Sequence, residues 1–349
     1  MIVLVTGAAG FLGTAVVDRL LADGKSSVRC FVRATSDLSE LKAVRSRYPS
    51  AHVEYVTGDL SAKDDLQIAV RGVKRIYHLA AGMRGLPATI FSNTVVASKH
   101  LINAIQGKGL RVVLVSSIGV YGTSHLPKGA TIDEECALER SPENRNAYFH
   151  AKTWQERLFW EAATKHALDL VVLRSGILYS ARHMPLPGRA GLRLGRLLLQ
   201  FGGDSLLPLC HIVNCAAGVI LAGDSSSASN QAYNLVDDGL PTIREYVKAY
   251  SRNVERLISV PFTFPATMLL SQVVQRYHAY SRGQIPRVLS PYESAAIWRG
   301  HRFDNRKIKA LGWTQMIPTA QTFLGACDSR PQETASREPF NQMLQGRFR

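Results

Sequence analysis

Acidic side chains are in short supply: 27 Asp and Glu stand against 42 Lys and Arg, a formal net charge of +15. An excess of that size suits nucleic acid, an anionic membrane surface or small anions. The basic residues are spread along the chain and no nucleic-acid motif accompanies them, so nucleic acid is not expected as a partner. Cysteine is sparse as well. The five residues Cys30, Cys136, Cys210, Cys215 and Cys327 are odd in number and scattered, with no CxxC pair and no metal spacing. That pattern argues against a disulfide scaffold and a thiolate metal site; reduced thiols, no metal and a cytoplasmic setting are expected. No apolar run reaches the roughly 20 residues of a membrane-spanning helix. A glycine-rich turn starting at residue 6 argues against a cleavable leader before it.

What the chain does have begins at once, with MIVLVTGAAGFLG. Ile2 to Val5 is a short, β-branched apolar run, the signature of a buried parallel strand. It leads into Gly7, Gly10 and Gly13. The first glycine permits a tight turn, the second lets a pyrophosphate approach the backbone, and the third lets the next helix pack on the strand. That helix, predicted over Phe11–Ala22, would turn its N-terminal N–H groups toward phosphates. Gly7, Ala9, Gly10, Phe11, Leu12 and Gly13 are therefore candidate cofactor-binding residues.

Further strands are predicted at Val28–Arg33, Val53–Val56, Arg75–Leu79, Arg111–Val115 and Leu168–Leu173, with helical stretches between them. Repeated βα units of this kind predict an α/β fold with a doubly wound parallel sheet, whose ligands bind beyond the carboxyl ends of the strands. The remaining motifs fall at those ends. Arg33 closes the second strand where an acid would greet a ribose 2′-hydroxyl; an arginine there can pair with a 2′-phosphate, which favours NADP over NAD. Asp59 and Leu60 follow the third strand, and Leu79, Ala80, Ala81 and Gly82 the fourth. Val115, Ser116 and Ser117 end the fifth. Tyr148 and Lys152, four residues apart, share a helix face, so an ammonium beside the phenol is expected to lower its pKa. A tyrosine prepared in that way can pass a proton while hydride moves to or from a nicotinamide.

The glycine turn, the strand-end serines and the YxxxK pair together resemble an extended, or atypical, short-chain dehydrogenase/reductase of the NAD-dependent epimerase/dehydratase family. The resemblance spans roughly residues 1 to 325 and is more specific before residue 180. It implies a Rossmann-type domain over residues 1–180 and a smaller C-terminal substrate-binding lobe over 181–327, with segments near 205–240 returning to the sheet. It implies a catalytic set of Ser117, Tyr148 and Lys152, with Tyr148 and Lys152 also touching the cofactor. By the same resemblance Asp59 meets the adenine, while Leu60, Leu79, Ala80, Ala81, Val115, Ser116, Ser175 and Ile177 line the dinucleotide and Gly82 the substrate. Leu173–Tyr179 resembles the family's LRPxxxYG segment, with Ser175 in place of Pro. Asn214 stands where relatives carry Asp, and Arg302–Lys307 with Leu311–Trp313 resembles their terminal FDNSKAKRELGW stretch.

Two function classes are consistent with this reading. A nucleotide-sugar epimerase or keto-sugar reductase suits the basic residues after position 180, of which Arg189, Arg193 and Arg196 fall at helical spacing and could clamp a diphosphate. A reductase acting on a hydrophobic secondary alcohol or ketone, as in 3β-hydroxysteroid and dihydroflavonol relatives, suits the FVRATSDLSEL stretch. A non-catalytic dinucleotide sensor is a third reading. A 4,6-dehydratase is disfavoured, because Ile118 and Gly119 stand where those relatives carry Asp-Glu. A homodimer is expected by analogy alone. The run Val260–Val274, interrupted by prolines and followed by Arg276, His278, Arg282 and Arg287, either packs on the substrate lobe or docks peripherally on an anionic membrane. Residues after Asp328 read as a disordered polar tail.

Overall fold

The computed structural model describes residues 1–24, 27–281 and 289–320. Arg282, Arg287, Cys327 and the predicted tail at 328–349 lie outside the described residues. Seven strands form the central sheet: β1 (Ile2–Thr6), β2 (Ser27–Val32), β3 (Val53–Thr57), β4 (Val73–His78), β5 (Arg111–Ser117), β6 (Asp169–Ser175) and β7 (Gln231–Leu235). Their order is β7-β6-β5-β4-β1-β2-β3, and every pairing is parallel. The chain winds outward from β1 through β2 to β3, then crosses back to β4 and winds the other way. The switch point between β1 and β4 leaves a crevice at their carboxyl ends.

Strand periodicity explains the two cores. Val3 and Val5 face one layer of helices together with Val113, Val171 and Leu173. Leu4 faces the other layer, with Ile76, Val112, Leu114 and Val172. Both faces are apolar because helices cover both. Each such side chain, fully buried, contributes about 1.5–3 kcal/mol. Trp313, in the FDN-like terminal stretch, joins the first core and donates from Nε1 to the Asn214 carbonyl at 3.0 Å.

A third core, including Tyr179, Leu198, Phe201, Leu207, Ile243 and Tyr246, belongs to the C-terminal lobe. Three short strands, Gly191–Leu194, Leu197–Gln200 and Ile258–Pro261, make a small sheet there. Beyond them the helix Phe264–Tyr280 runs unbroken. Pro265 sits in its first turn, where a missing N–H costs nothing, so the proline opens this helix rather than interrupting it. Leu270 and Val274 pack on the lobe core while Leu269 and Val273 are exposed. No helix among the described residues is long and apolar enough to cross a membrane.

Candidate active site

The turn after β1 has the geometry its glycines foretell. Gly7 has φ +72°, and a Cβ there would lie 2.9 Å from the Ala80 amide nitrogen. Gly13 is tighter still, since a Cβ would fall 2.0 Å from the Gly7 carbonyl oxygen. The first helix, Phe11–Asp23, starts at Gly10 with no side-chain cap and no acid in its first turn. Its leading N–H groups therefore have neither an intrahelical partner nor a side-chain acceptor, which fits a phosphate-bearing cofactor.

Around this turn the strand ends gather the predicted residues. Arg33 is exposed at the end of β2 and close enough to Asp59, beyond β3, to be felt electrostatically. The Asp59 carboxyl is held below its usual range by the Ser61 hydroxyl and amide, both 2.7 Å from Oδ1, and then by Arg33. Leu60 is buried in the second core, which Ala80 packs against, while Leu79 packs against the first. Gly82 donates its N–H to Thr94 Oγ1 at 2.9 Å, and a Cβ on it would meet Ile90 Cα at 2.9 Å. This glycine is thus required by packing against the Pro87–Phe91 helix. A short π-helical stretch, Ser92–Val96, follows before the α-helix Ala97–Ile105.

Ser116 and Ser117 end β5. Ser117 Oγ accepts from the Gly119 amide at 3.2 Å, which orients the hydroxyl at the carboxyl end of β5. Ser116 points the other way and donates to Glu156 Oε2. Ser175, at the end of β6, donates to the Ser116 carbonyl at 3.3 Å, and Ile177 opens the short strand Ile177–Tyr179. Tyr148 and Lys152 stand on the long helix Ala147–His166, which Asn146 caps by accepting from the Phe149 amide at 3.1 Å. Phe149 packs against Gly119, where a Cβ would meet its ring at 2.1 Å, and its ring lies 5.4 Å from that of Tyr148. The sequence thereby brings Ser117, Tyr148 and Lys152 to one end of the sheet.

The expected electrostatics of this pair are corrected by the structure. Lys152 Nζ donates to the Val115 carbonyl and to Gln155 Oε1, each at 2.6 Å, and not to the phenol. With no charge to favour the phenolate, burial pushes the pKa of the half-buried Tyr148 up to about 12. Burial also brings Lys152 down to about 8, against a smaller opposing pull from Glu156. The Glu156 carboxylate is spoken for: Arg174 donates to Oε1 at 2.7 and 3.0 Å, and Trp160 at 3.2 Å.

The arginine clamp is corrected too. Arg189 lies in a 3-10 turn, Gly188–Ala190, and Arg193 and Arg196 belong to a β-hairpin rather than a helix. Arg193 reaches Glu255 through both carboxylate oxygens, at 2.7 and 2.8 Å, and Arg196 is exposed at the hairpin turn. Only Arg189 keeps a feature of a binding group, because its buried Nε has no hydrogen-bond partner among the described residues. Burial, and then the Arg145 charge, push its pKa down to about 10.

Three residues that sequence reasoning passed over, His78, Ser98 and Gln155, form a buried polar cluster behind Lys152. Gln155 sits three residues after Lys152, on the adjoining helical face, which is the one signal that pointed to it. No group of three or more His, Cys, Asp or Glu among the described residues could hold a metal. A cavity of about 330 Å³ lined by Ile105, Leu110 and Leu168 opens at the amino ends of β5 and β6, the edge away from these groups.

Residues 3–235 match the NAD dependent epimerase/dehydratase family, and the chain belongs to that family. Cinnamoyl-CoA reductase 2 of Medicago truncatula is 28% identical over 241 residues, 66% of this chain and 70% of the relative. Against the cinnamoyl-CoA reductases of Arabidopsis thaliana and Petunia hybrida the chain spans about half of their length, 51–53%. UDP-glucose 4-epimerase 3 of Oryza sativa subsp. japonica is 28% identical over 287 residues, covering 71% of this chain and 75% of that one. UDP-glucuronic acid 4-epimerase of Bacillus cereus, in a crystal structure with UDP-glucuronic acid and NAD, superposes with a TM-score of 0.67. That match covers 93% of this chain and 96% of the other at 18% identity, and it bears on the fold. The curated relatives include reductases, epimerases and a sterol demethylase protein of Methylococcus capsulatus, and the matching family is named for its dependence on NAD.

Proposed function

We propose that the protein is an NAD(P)-dependent oxidoreductase or epimerase that transfers hydride at a secondary alcohol or ketone of a small molecule. What supports this reading is an uncapped helix N-terminus after a glycine turn with no room for side chains, together with Ser117 at the end of β5 and the helix of Tyr148 and Lys152, whose Lys152 Nζ donates to the β5 carbonyl of Val115. Gly7 to Gly13 would hold the dinucleotide phosphates, Arg33 and Asp59 the adenosine end, and Lys152 its inner ribose. When bound, the dinucleotide supplies the hydride acceptor or donor.

The chain's own groups then manage the proton. A phenol with its pKa near 12 is protonated at neutral pH, so Tyr148 is ready to donate to the oxygen of a carbonyl. Ser117 orients that oxygen, its own hydroxyl aligned by Gly119. In the oxidative direction Tyr148 must lose its proton first, which requires the Lys152 ammonium to turn from the Val115 carbonyl toward the phenol. Tyr148→Phe should therefore reduce turnover by about 10²–10⁴-fold while dinucleotide affinity holds. Following reduced nicotinamide by absorbance against nucleotide sugars and against hydrophobic alcohols and ketones reads this. Near-wild-type turnover by the Phe variant would remove Tyr148 from the chemistry.

NADP is the favoured cofactor, on account of Arg33. A charge-assisted pair with the 2′-phosphate is worth roughly 1.5–3 kcal/mol, about ten- to a hundredfold in affinity. Arg33→Ala should lose that factor for NADP and nothing for NAD, and calorimetric titration of both cofactors decides it. The buried Arg189 Nε, which has no hydrogen-bond partner among the described residues, favours a substrate with an anionic group, as in the nucleotide-sugar class, over a neutral hydrophobic alcohol. Arg189→Ala should raise KM for such a substrate about tenfold or more. Arg193→Ala, whose guanidinium Glu255 already engages, should leave KM where it was.

A second, peripheral role is supported by the helix Phe264–Tyr280, which exposes Leu269, Val273 and Tyr277 beside Arg276. An apolar face with a neighbouring cation suits the surface of an anionic membrane. Cosedimentation with anionic and neutral liposomes at low and moderate salt tests it, and no binding to anionic vesicles at low salt would dismiss it.

A further inference from the structure

Lys152 is held in place by a residue that the Tyr-Lys chemistry does not itself require. Gln155 is completely buried, so its carboxamide must find its partners inside the protein. Oε1 accepts from Lys152 Nζ at 2.6 Å. Nε2 lies 2.8 Å from Ser98 Oγ and 3.2 Å from His78 Nε2. The orientation is forced, because an ammonium has donors only, so the amide oxygen faces it and the amide N–H groups face the other way.

The receiving end is anchored in turn. Ser98 Oγ donates to the Thr94 carbonyl at 2.6 Å, and His78 Nδ1 lies 2.7 Å from Thr6 Oγ1 on β1. Both His78 and Ser98 are buried, and His78 Nε2 lies 3.0 Å from Ser98 Oγ as well as beside the Gln155 amide. A rigid line of polar side chains therefore runs from the middle of the sheet to the ammonium, and it ends in a neutral oxygen.

The charges around Lys152 make that neutrality matter. On its own helix it has Tyr148 one turn before and Glu156 one turn after; from β4 it faces His78. Arg174, on β6, acts through Glu156, whose oxygens it occupies with Trp160 and Ser116. The direct acceptors of the ammonium are the Val115 carbonyl and the Gln155 amide, neither of them an anion.

We propose that Gln155 is a positioning residue for Lys152, the Gln155, Ser98 and His78 cluster fixing both the place of the ammonium and its hold on its proton. This rests on the role given to Lys152 above. A carboxylate in the place of the amide would tighten that hold, and an apolar side chain would loosen it.

The test needs no substrate. Carbamylation of Lys152 by cyanate, mapped by peptide mass spectrometry on the ligand-free protein across pH, reports the midpoint at which the amine loses its proton. In Gln155→Glu the midpoint should move up by about one to three pH units. In Gln155→Met it should move down. Ser98→Ala, which removes an anchor of the amide and keeps the amide itself, should move it in the same direction as the Met variant by a smaller amount. It keeps the proposal open to refutation should the Met variant fail to fold by circular dichroism. The alkaline limb of the turnover profile should follow the same order. Wild-type midpoints in folded Gln155→Glu and Ser98→Ala proteins overturn the proposal. Failure of the underlying reading looks different: Lys152→Met would then keep wild-type turnover, whatever the Gln155 variants do to the midpoint.

Discussion

His78 shows how much a single buried side chain contributes to this site. Burial, and then the Lys152 charge, push its pKa from the ordinary 6.5 down to about 3. The folded protein thus refuses a proton that the unfolded chain accepts. The stability this contributes is full above about pH 6.5 and is lost as pH falls toward 3, at about 1.4 kcal/mol per pH unit in the window between. His78→Asn, which has no proton to take up, should flatten the decline of Tm between pH 6 and 4. Parallel curves for the two proteins would show that His78 titrates normally. Asn214 is a second such residue, and its departure from the family's Asp has a physical reason. Its Nδ2 donates to Asp237 Oδ1 and to the Ile317 carbonyl, each at 2.9 Å, while Oδ1 accepts from the Met316 and Ile317 amides. Asp at 214 would set a carboxylate against Asp237, whose pKa burial has already raised to about 6. Asn214→Asp should cost about 2–5 kcal/mol at neutral pH by denaturant unfolding. The cost should shrink as pH falls from neutral through about 6, where one carboxyl of the pair takes a proton; a pH-independent difference would contradict this.

Elements were legible in the sequence where period and punctuation agree. The apolar runs that predict strands coincide with β1 to β6 to within a residue or two, because buried parallel strands read as continuous β-branched stretches. Gly13 was legible as a packing glycine, and the geometry supplies a sharp control. Gly13→Ala must displace backbone, so it should lower Tm steeply and abolish dinucleotide binding together. Gly24→Ala meets nothing within 4 Å and suffers only its φ of +64°, a cost of roughly 1–2 kcal/mol with binding intact. Equal losses from the two variants would refute the packing argument. The hairpin that took Arg193 and Arg196 was missed, since residues three and four apart fit a helix as readily as a chance pattern does. A signal was present in Gly195-Arg196 between alternating leucines, where Gly195 has φ +60° as a two-residue hairpin turn with glycine at its first position requires. The partners of Lys152 were hidden for another reason. Gln155 is near it in sequence, but Ser98 and His78 arrive from other elements, and no local pattern encodes such a meeting.

At the scale of the whole molecule, the carboxyl edge of the sheet collects what the chemistry needs. The glycine turn comes from β1, Arg33 and Asp59 from the ends of β2 and β3, and Ser117 from β5, with Tyr148 and Lys152 on the helix that follows. These parts are spread over about 150 residues of chain, and the single switch of winding direction between β1 and β4 is what makes them neighbours. The C-terminal lobe adds a separate apolar core and, in Arg189 and Arg299, two guanidiniums whose Nε atoms lack a protein partner among the described residues. The central claim is that this edge holds a nicotinamide dinucleotide against Tyr148. Calorimetric titration of NADP and NAD into wild type, Tyr148→Phe and Gly10→Leu tests it most directly, with circular dichroism to confirm that each protein is folded; a Cβ on Gly10 comes no nearer than 3.2 Å to the protein. Saturable binding of one dinucleotide per chain is expected, similar in wild type and Tyr148→Phe and lost in a folded Gly10→Leu protein. Absence of binding by the wild type, or undiminished binding by Gly10→Leu, would contradict it.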